Sequence, residues 1–319
     1  MANSWHNVLN LGIVTHVLAF PEDSGDGREV LEIVNLIASD PFFDAIEIAE
    51  IKEGKIKQGV KEIIQISHLE VVFGAGHTTF AENLDLNSFD KDVQKKAINR
   101  IKGLIDMAYF FGARTFAITS GTDVADNQRE GAKKILVDSL REICEYAKKQ
   151  EKGRKESLIL ALESFDREFT HRLLIGPTSE AVEVVSKVRK DYDNIGVMVD
   201  LGHLPLLGES MRDAISQAGL YLKHVHIGNC VLKNRNDPRF GDTHPYFGYP
   251  GGENNVEQVS LFLKLLEENN YFSLIGSSKD KRVPTLSVEI IRRQKEDIRL
   301  LIANVKRVFN KAWATAFYS

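Results

Sequence analysis

Cysteine is scarce in this chain: only Cys144 and Cys230 occur among its 319 residues. Two cysteines cannot form the disulfide framework of a small secreted domain. Cys144 lies in the helical pattern LREICEYAKK, and Cys230 follows a predicted strand. Both are therefore interpreted as reduced thiols of a cytosolic protein.

Long apolar runs are also missing. No stretch reaches the roughly 18 residues that a membrane-spanning helix needs. The first 16 residues, MANSWHNVLNLGIVTH, lack the basic segment followed by an apolar segment that is typical of a secretory signal. We therefore expect a soluble, cytoplasmic protein.

The chain carries no excess of positive charge. Its 41 Lys and Arg residues stand against 45 Asp and Glu residues, for a net charge of -4. This balance provides no attraction for nucleic acid or for an anionic membrane. The sequence contains neither a GxGxxG nor a P-loop pattern, so nothing in it supports a nucleotide cofactor. The expected partner is therefore a small-molecule substrate. The sequence does not decide whether the protein forms a homo-oligomer.

Short runs rich in Val, Ile, Leu and Ala alternate with longer amphipathic stretches along the chain. This alternation is typical of parallel strands joined by crossover helices. Eight runs predict strands: residues 11–16, 44–49, 69–74, 115–120, 157–163, 195–200, 222–227 and 285–290. Eight units would close an α/β fold of the (β/α)8 barrel type, whereas fewer would leave an open sheet. Because no linker composition marks a boundary, we expect one domain over residues 1–319.

An acidic or histidine residue ends each of four predicted strands. Glu163 ends SLILALE, Asp200 ends NIGVMVD, His226 ends YLKHVH and Glu289 ends PTLSVE. The downstream ends of barrel strands meet at one rim, and alternation along each strand turns these side chains inward. Any one of them alone would be read as a helix cap or a salt-bridge partner. Together they predict a site for one divalent cation, and three carboxylates with one imidazole suit Mn²⁺, Mg²⁺, Co²⁺ or Zn²⁺.

The segments LALES, VMVDLGH, HVHIGN and SVEI, in this order, resemble the sugar phosphate isomerase/epimerase superfamily. These are the xylose isomerase-like TIM barrels, which also include endonuclease IV, and the resemblance covers nearly the whole chain. It implies that Glu163, Asp200, His226 and Glu289 bind one divalent cation. It also implies that Glu163 and Glu289 form the acid/base pair, so that one removes a carbon-bound proton and the other returns one. The expected activity is metal-dependent isomerisation or epimerisation of a sugar, a sugar phosphate or a related keto-polyol.

A second group of residues is similar to those that hold a further zinc ion in endonuclease IV. His203 follows Asp200 in DLGH, and Asp242 and His244 lie in GDTHPYFG, within a long loop at 228–255. The resemblance opens two alternatives for them, a second metal ion or substrate contacts. For His203 a helix cap, and for Asp242 and His244 a loop that merely covers the barrel, remain the structural explanations.

The chain departs from that nuclease at two further strand ends. The histidines expected after the third and fourth strands are replaced by the FGAG segment around Gly74 and by Thr119 and Ser120. A full three-metal cluster is therefore not expected. The ketohexose 3-epimerases are matched incompletely too, because Asn229 and Leu232 stand where those enzymes carry Glu and Arg.

Five residues at the rim are predicted to bind substrate. They are His203, Asn229, His244, Glu47 and His16. For Glu47 and His16, at the ends of the second and first strands, a structural role is an equal alternative. His224, in contrast, is interpreted as a core histidine beneath the site. Three other functions stay open: an endonuclease IV-like metal-dependent phosphodiesterase, a dehydratase of the same superfamily, and a non-catalytic sugar-binding barrel.

Overall fold

The computed structural model describes residues 5–19, 28–153, 157–273, 275–276 and 281–318. Within these residues the strands are β1 (Asn10–Ile13), β2 (Ala45–Ile48), β3 (Glu70–Gly74), β4 (Thr115–Thr119), β5 (Ile159–Glu163), β6 (Ile195–Asp200), β7 (Leu222–Ile227), β8 (Ile275–Gly276), β9 (Lys281–Arg282) and β10 (Thr285–Val288). All are parallel members of one sheet except β8 and β9, which form a short antiparallel pair.

Helices alternate with these strands. They are α1 (Arg28–Ala38), α2 (Gly54–Ser67), α3 (Gly76–Ala81), α4 (Lys91–Phe111), α5 (Arg129–Gln150), α6 (Thr178–Val188), α7 (Leu204–Leu207), α8 (Met211–Ala218), α9 (Val256–Glu268) and α10 (Ile298–Phe317). Among the described residues, no helix combines the length and the apolar character needed to cross a membrane.

The eight-stranded sheet is a nearly closed barrel. Its strand order is β1-β10-β7-β6-β5-β4-β3-β2, which leaves β1 and β2 at the two edges. A parallel bridge between Val14 and Glu47 joins these edges. The Thr15 N–H also donates to the Glu47 carbonyl at 2.9 Å, and the Asp44 N–H donates to the Leu11 carbonyl at 2.8 Å. The predicted (β/α)8 TIM barrel is therefore confirmed.

The eight predicted strands are all present, although most are shorter than predicted. β6 and β7 have the predicted bounds, whereas β10 ends at Val288. Glu289 nevertheless continues the pairing for one residue, since its N–H donates to the Ile227 carbonyl at 3.0 Å. The chain then leaves the barrel, and the Ile291 N–H bonds instead to the carbonyl of His244 in the β7–α9 loop. Glu289 thus lies on the rim itself.

Local sequence fixes both ends of α4. The Asp90 carboxylate accepts from the backbone N–H groups of Asp92 and Val93 at the start of α4. At its other end Gly112 has φ 77°, a left-handed conformation that glycine adopts at little cost. Capping residues in the sequence thus mark both ends of α4.

Strand alternation divides the apolar residues into two clusters. The large one includes Phe116 and Leu160 and fills the space around the barrel strands. The small one contains only Ala117, Ala161 and Met198. Because alternate side chains share a face, Ala161 lies on the same face of β5 as Glu163, and Met198 on the same face of β6 as Asp200. The small cluster, two alanines and one methionine, thus lies on the strand faces that carry Glu163 and Asp200.

Candidate active site

A cavity of about 200 Å³ lies at the rim where the strands end, the face that carries the active site in TIM barrels. Eight residues that the sequence analysis selected line it: His16, Glu47, Glu163, His203, His226, Asp242, His244 and Glu289. Asp200 is buried next to this group. Residues from seven different segments of the chain are thus brought to one place.

Glu163, Asp200 and His226 form a cluster that could hold a metal ion. One ligand atom from each lies within 4.8 Å of the others. The Asp200 Oδ1 accepts from the Gly202 N–H at 2.6 Å, but the buried Oδ2 makes no hydrogen bond with any described residue. A buried carboxylate oxygen without a partner is costly, and a cation removes that cost. The arrangement therefore fits a divalent cation.

Glu289, the fourth predicted ligand, lies against His226. Its Oε2 is 3.0 Å from the Nδ1 of His226, and the same Nδ1 is 3.8 Å from the Asp200 Oδ2. The Nδ1 edge of His226 is thus the edge turned toward the acidic residues. All four predicted ligands are neighbours in this cluster.

The second predicted group is also assembled, with Asp242 at its centre. The Asp242 Oδ1 lies 2.8 Å from the His244 Nε2, and its Oδ2 lies 3.3 Å from the His203 Nε2. His203 and His244 approach Asp200 as well, and ligand atoms of these three lie within 4.8 Å of one another. The two groups therefore share Asp200, and the geometry places a second candidate ligand set beside the first.

His203 and His244 are held by specific backbone contacts. His203 occupies the N-cap position of α7 but makes no side-chain cap, because its Nδ1 lies 3.0 Å from the Ser164 carbonyl. His244 has φ 37°, which is rare for a residue with a Cβ. Arg239 braces this loop by donating to the carbonyls of Thr243 and Ile291 at 3.1 and 2.9 Å. Both side chains are buried rather than exposed, which disagrees with a loop that only covers the mouth.

His171 also lines the cavity, although no pattern in the sequence predicts it there. Its Nε2 lies 3.5 Å from the Asp242 Oδ2, and its ring stacks on Phe80 with centroids 4.1 Å apart. The Asp166 carboxylate holds this β5–α6 loop by accepting from backbone N–H groups, including that of Thr170 at 3.0 Å. No motif marks His171 in the sequence, because its partners come from distant segments.

Burial and neighbouring charges move the pKa values of the two glutamates in opposite directions. Burial raises the pKa of Glu163 to about 8, although His203 and His226 partly oppose this. For Glu289, burial acts in the same direction but His244 and His226 outweigh it, and its pKa falls to about 2. A cation bound by Glu163 would lower its pKa again, since the ion stabilises the carboxylate.

The histidines respond to the same charges. Burial lowers their pKa values, but Glu47 and Glu289 raise the pKa of His226 well above its ordinary value. Asp242 and Asp200 do the same for His203. In His16 burial prevails, with help from His77, and the pKa falls to about 4. Without a metal ion the carboxylates thus favour the protonated forms of His203 and His226, whose positive charges a cation could replace.

Asn229 does not line this cavity. Its Oδ1 accepts from the backbone N–H groups of Cys230 and Asn254 at 3.0 and 2.8 Å, and its Nδ2 donates to the Tyr246 carbonyl. These bonds use the amide to hold the β7–α9 loop. They favour a structural role over the substrate contact that the sequence suggested for Asn229.

No Lys or Arg belongs to the described residues that line the cavity. The nearby Arg239 is buried and paired with Glu296 at 2.7 Å, and Lys233 is largely exposed beside Glu253. The described lining is therefore rich in carboxylates and imidazoles and poor in fixed cations.

Comparisons with known proteins agree with the barrel fold described above. A family model described as "Xylose isomerase-like TIM barrel" matches residues 36–284, most of the chain. Among curated proteins, a D-psicose 3-epimerase from Ruminiclostridium cellulolyticum is 28% identical over 212 residues, which is 65% of this chain and 64% of that protein. The match thus spans less than two thirds of that relative's length.

Solved structures show the same fold at lower identity. A D-tagatose 3-epimerase-like protein is 18% identical with a TM-score of 0.67, and the match covers 96% of this chain and 98% of that one. An IOLI protein with a binding zinc atom is 18% identical with a TM-score of 0.68, over 97% of this chain and 100% of that one. At such identities the likeness concerns the fold, and the activity has to be argued from the site.

Proposed function

The chain belongs to the xylose isomerase-like TIM barrel family, and on this premise we propose that it is a metal-dependent isomerase or epimerase of a sugar, a sugar phosphate or a related keto-polyol. The observation that carries the proposal is the convergence of Glu163, Asp200 and His226 within 4.8 Å at the rim. The relative named D-psicose 3-epimerase supports it.

Glu163, Asp200, His226 and Glu289 would hold one divalent cation. The unpartnered Oδ2 of Asp200 is the feature that best fits such an ion. Oxygen and imidazole ligands suit Mn²⁺, Mg²⁺, Co²⁺ or Zn²⁺, and no thiolate selects a softer metal. When bound, the ion would polarise a substrate oxygen and lower the cost of the negative charge that develops as a carbon-bound proton leaves.

Glu163 and Glu289 would act as the acid/base pair. Both line the cavity, and β6 and β7 lie between β5 and β10 in the sheet, so the two carboxylates approach a ligand from different sides. One removes a proton from carbon and the other returns one. Return to the opposite face of the same carbon gives epimerisation, and return to the neighbouring carbon gives aldose–ketose isomerisation. A dehydratase would use the same first step and end in elimination.

The lining favours a small substrate without a phosphate group. A phosphate binds best to Lys, Arg or backbone N–H groups, and the described lining contains neither Lys nor Arg. The volume of about 200 Å³ is below the roughly 300–1,000 Å³ of pockets for drug-sized ligands. Among the substrates proposed above, an unphosphorylated monosaccharide or keto-polyol therefore fits best.

A second candidate, a metal-dependent phosphodiesterase, is favoured by the group around Asp242. A second ion held by Asp200, His203 and His244 would make the centre binuclear. Against it, Gly74 and Thr119 stand where the resemblance to endonuclease IV calls for further histidines, and the chain has a net charge of -4. We therefore rank it second.

Solvent isotope uptake tests the leading proposal. The protein loaded with Mn²⁺ or Co²⁺ is incubated in D₂O with unphosphorylated ketoses and aldoses, and proton NMR follows the substrate and product. We expect deuterium at the carbon that reacts, because the proton passes through a carboxylate that exchanges with solvent. Turnover without deuterium uptake, or no turnover of any sugar tested, would contradict the proposal.

A further inference from the structure

Glu47 lies beneath the proposed metal site, at the closure of the barrel. Its side chain is only 2% exposed. The Thr15 N–H and hydroxyl both donate to its carbonyl, at 2.9 and 2.8 Å, which fixes its backbone against β1. The Glu47 Oε2 lies 2.8 Å from the Nε2 of His226 and 3.2 Å from the Nε2 of His224. One carboxylate oxygen therefore serves two imidazoles.

The direction of these hydrogen bonds follows from what each group can do. An ionised carboxylate only accepts, so the Nε2 of each histidine carries the hydrogen. The His224 Nδ1 lies 2.9 Å from the Thr285 Oγ1 and 3.2 Å from the Thr285 carbonyl oxygen. Thr285 thus holds the ring of His224, whose Nε2–H donates to Glu47. This chain of bonds fixes the carboxylate from below.

His226 is bound to the same carboxylate from above. Its Nε2–H donates to Glu47, which leaves Nδ1 as the nitrogen with a lone pair for a cation. That Nδ1 faces the Asp200 Oδ2 at 3.8 Å and the Glu289 Oε2 at 3.0 Å. A histidine ligand commonly gives its other N–H to a carboxylate, which fixes the tautomer and the ring orientation.

We infer that Glu47 is a positioning residue, which, backed by His224 and Thr285, holds His226 with its Nδ1 turned toward the cation. This inference rests on the proposed metal site. It replaces the substrate contact that the sequence suggested for Glu47, because the Oε2 is already engaged by two histidines. Glu47 then acts on the reaction through His226.

Gly74 leaves the space that Glu47 needs. A Cβ at position 74 would lie 3.2 Å from the Glu47 Oε1, which is closer than ordinary contact. Gly74→Ala would therefore displace the carboxylate without removing its charge. Gly74→Ala is therefore a second variant that perturbs the Glu47 carboxylate while Glu47 itself stays unchanged.

Zinc affinity measures the inference directly. Zn²⁺ dissociation constants are determined by competition with a chromophoric chelator for the wild-type protein, Glu47→Gln and Glu50→Gln. Glutamine keeps the volume of Glu47 but removes the negative charge, and its amide nitrogen cannot accept a hydrogen bond from either imidazole. We expect the Kd to rise about 10- to 100-fold in Glu47→Gln, as for other residues that orient a metal ligand. Glu50, which pairs with Arg100 and lies outside the lining, is the matched control and should change Kd less than about twofold.

Nitrogen NMR of the zinc-loaded protein adds a readout that a general loss of stability would not mimic. With ¹⁵N-labelled histidine, we expect His226 in the wild-type protein to carry its hydrogen on Nε2 and to bind zinc through Nδ1. In Glu47→Gln the Nε2–H signal should shift or disappear through exchange. In Glu50→Gln it should not change.

Each outcome assigns a cause. Wild-type protein that binds no zinc would overturn the proposed metal site and this inference with it. Wild-type protein that binds zinc no more tightly than Glu47→Gln, with an unchanged His226 signal, would overturn the inference alone. A higher KM for the substrate in Glu47→Gln, with an unchanged Kd for zinc, would indicate instead that Glu47 contacts the substrate. If Glu47→Gln does not fold, Gly74→Ala and Thr285→Val are measured in the same way. An unchanged Kd in both would overturn the inference, and a rise of a few-fold in both would support it.

Discussion

Asp200 and His226 face each other across the pairing of β6 and β7, with the Oδ2 of the aspartate 3.8 Å from the Nδ1 of the histidine. The Gly202 N–H fixes the other oxygen of Asp200 at 2.6 Å, so the carboxylate has one orientation. Two neighbouring strands thus present one oxygen and one nitrogen to the same point. Such preorganisation lowers the cost of binding an ion.

The first prediction concerns this pair. Asp200→Asn and His226→Ala should each lose the divalent ion that the wild-type protein carries, because each removes one ligand of the cluster. Metal content after purification and dialysis, measured by inductively coupled plasma mass spectrometry, checks it. Asp138→Asn, an exposed site on α5, is the control. Unchanged metal content in both site variants would rule the site out.

The second prediction tests whether Glu163 and Glu289 transfer protons or only bind substrate. Glu163→Gln and Glu289→Gln should each lower kcat by about 10²–10⁴ when measured at saturating metal, because each removes a group that transfers a proton. Steady-state kinetics with an accepted sugar measures this. If both variants instead keep kcat and only raise KM, the glutamates bind substrate and do not act as acid and base.

Much of this site follows from two regularities of the sequence. Alternation along β5 and β6 predicts that Glu163 and Asp200 point inward, and the TIM-barrel rule predicts that strand ends meet at one rim. Both predictions need only the residues of the individual strands, so they can be made from a single sequence. The long loop at 228–255 was also identifiable, because its Gly, Pro, Asn and Asp content excludes regular helices.

The remaining features depend on contacts between distant segments. The position of Glu47 at the end of β2 predicts only that it lies at the rim, and the two histidines that contact its Oε2 come from β7. Asn229 follows β7 directly, yet its amide turns into the loop to bond two backbone N–H groups. His171 lies at the cavity because the Asp166 carboxylate holds its loop there, and the sequence alone does not predict this contact. No local pattern encodes these three outcomes.

The third prediction concerns His171. His171→Ala should fold normally, because the side chain is only partly buried, but should lower kcat/KM by about 10-fold or more, a loss of at least about 1.4 kcal/mol. The loss is expected because His171 contacts Asp242 at 3.5 Å and forms one wall of the cavity. Kinetics together with thermal unfolding measure it. Glu168→Ala, in the same loop with an exposed side chain, is the control. Equal kinetics for the two variants would remove His171 from the site.

The fourth prediction separates sugar chemistry from nucleic-acid chemistry. The protein should not cleave DNA at abasic sites in the presence of Zn²⁺, Mn²⁺ or Mg²⁺, because a net charge of -4 gives no attraction for a polyanionic backbone. The part of the lining that the structure describes also supplies neither Lys nor Arg to contact phosphates. Gel analysis of an oligonucleotide with one abasic site measures cleavage. Metal-dependent incision that Glu289→Gln abolishes would overturn the leading proposal in favour of the phosphodiesterase.

The last prediction concerns the group around Asp242. With excess Zn²⁺ the wild-type protein should bind a second equivalent more weakly than the first, and His244→Ala should lose only the second, because His244 contributes to the second ligand set alone. Isothermal titration calorimetry counts the sites. Removing His244 takes one partner from the buried carboxylate of Asp242, so we also expect a stability loss of about 1–3 kcal/mol. Binding of one equivalent by both proteins, with near-normal turnover in His244→Ala, would confine the chemistry to Glu163, Asp200, His226 and Glu289. The likeness of this loop to endonuclease IV would then have no mechanistic meaning.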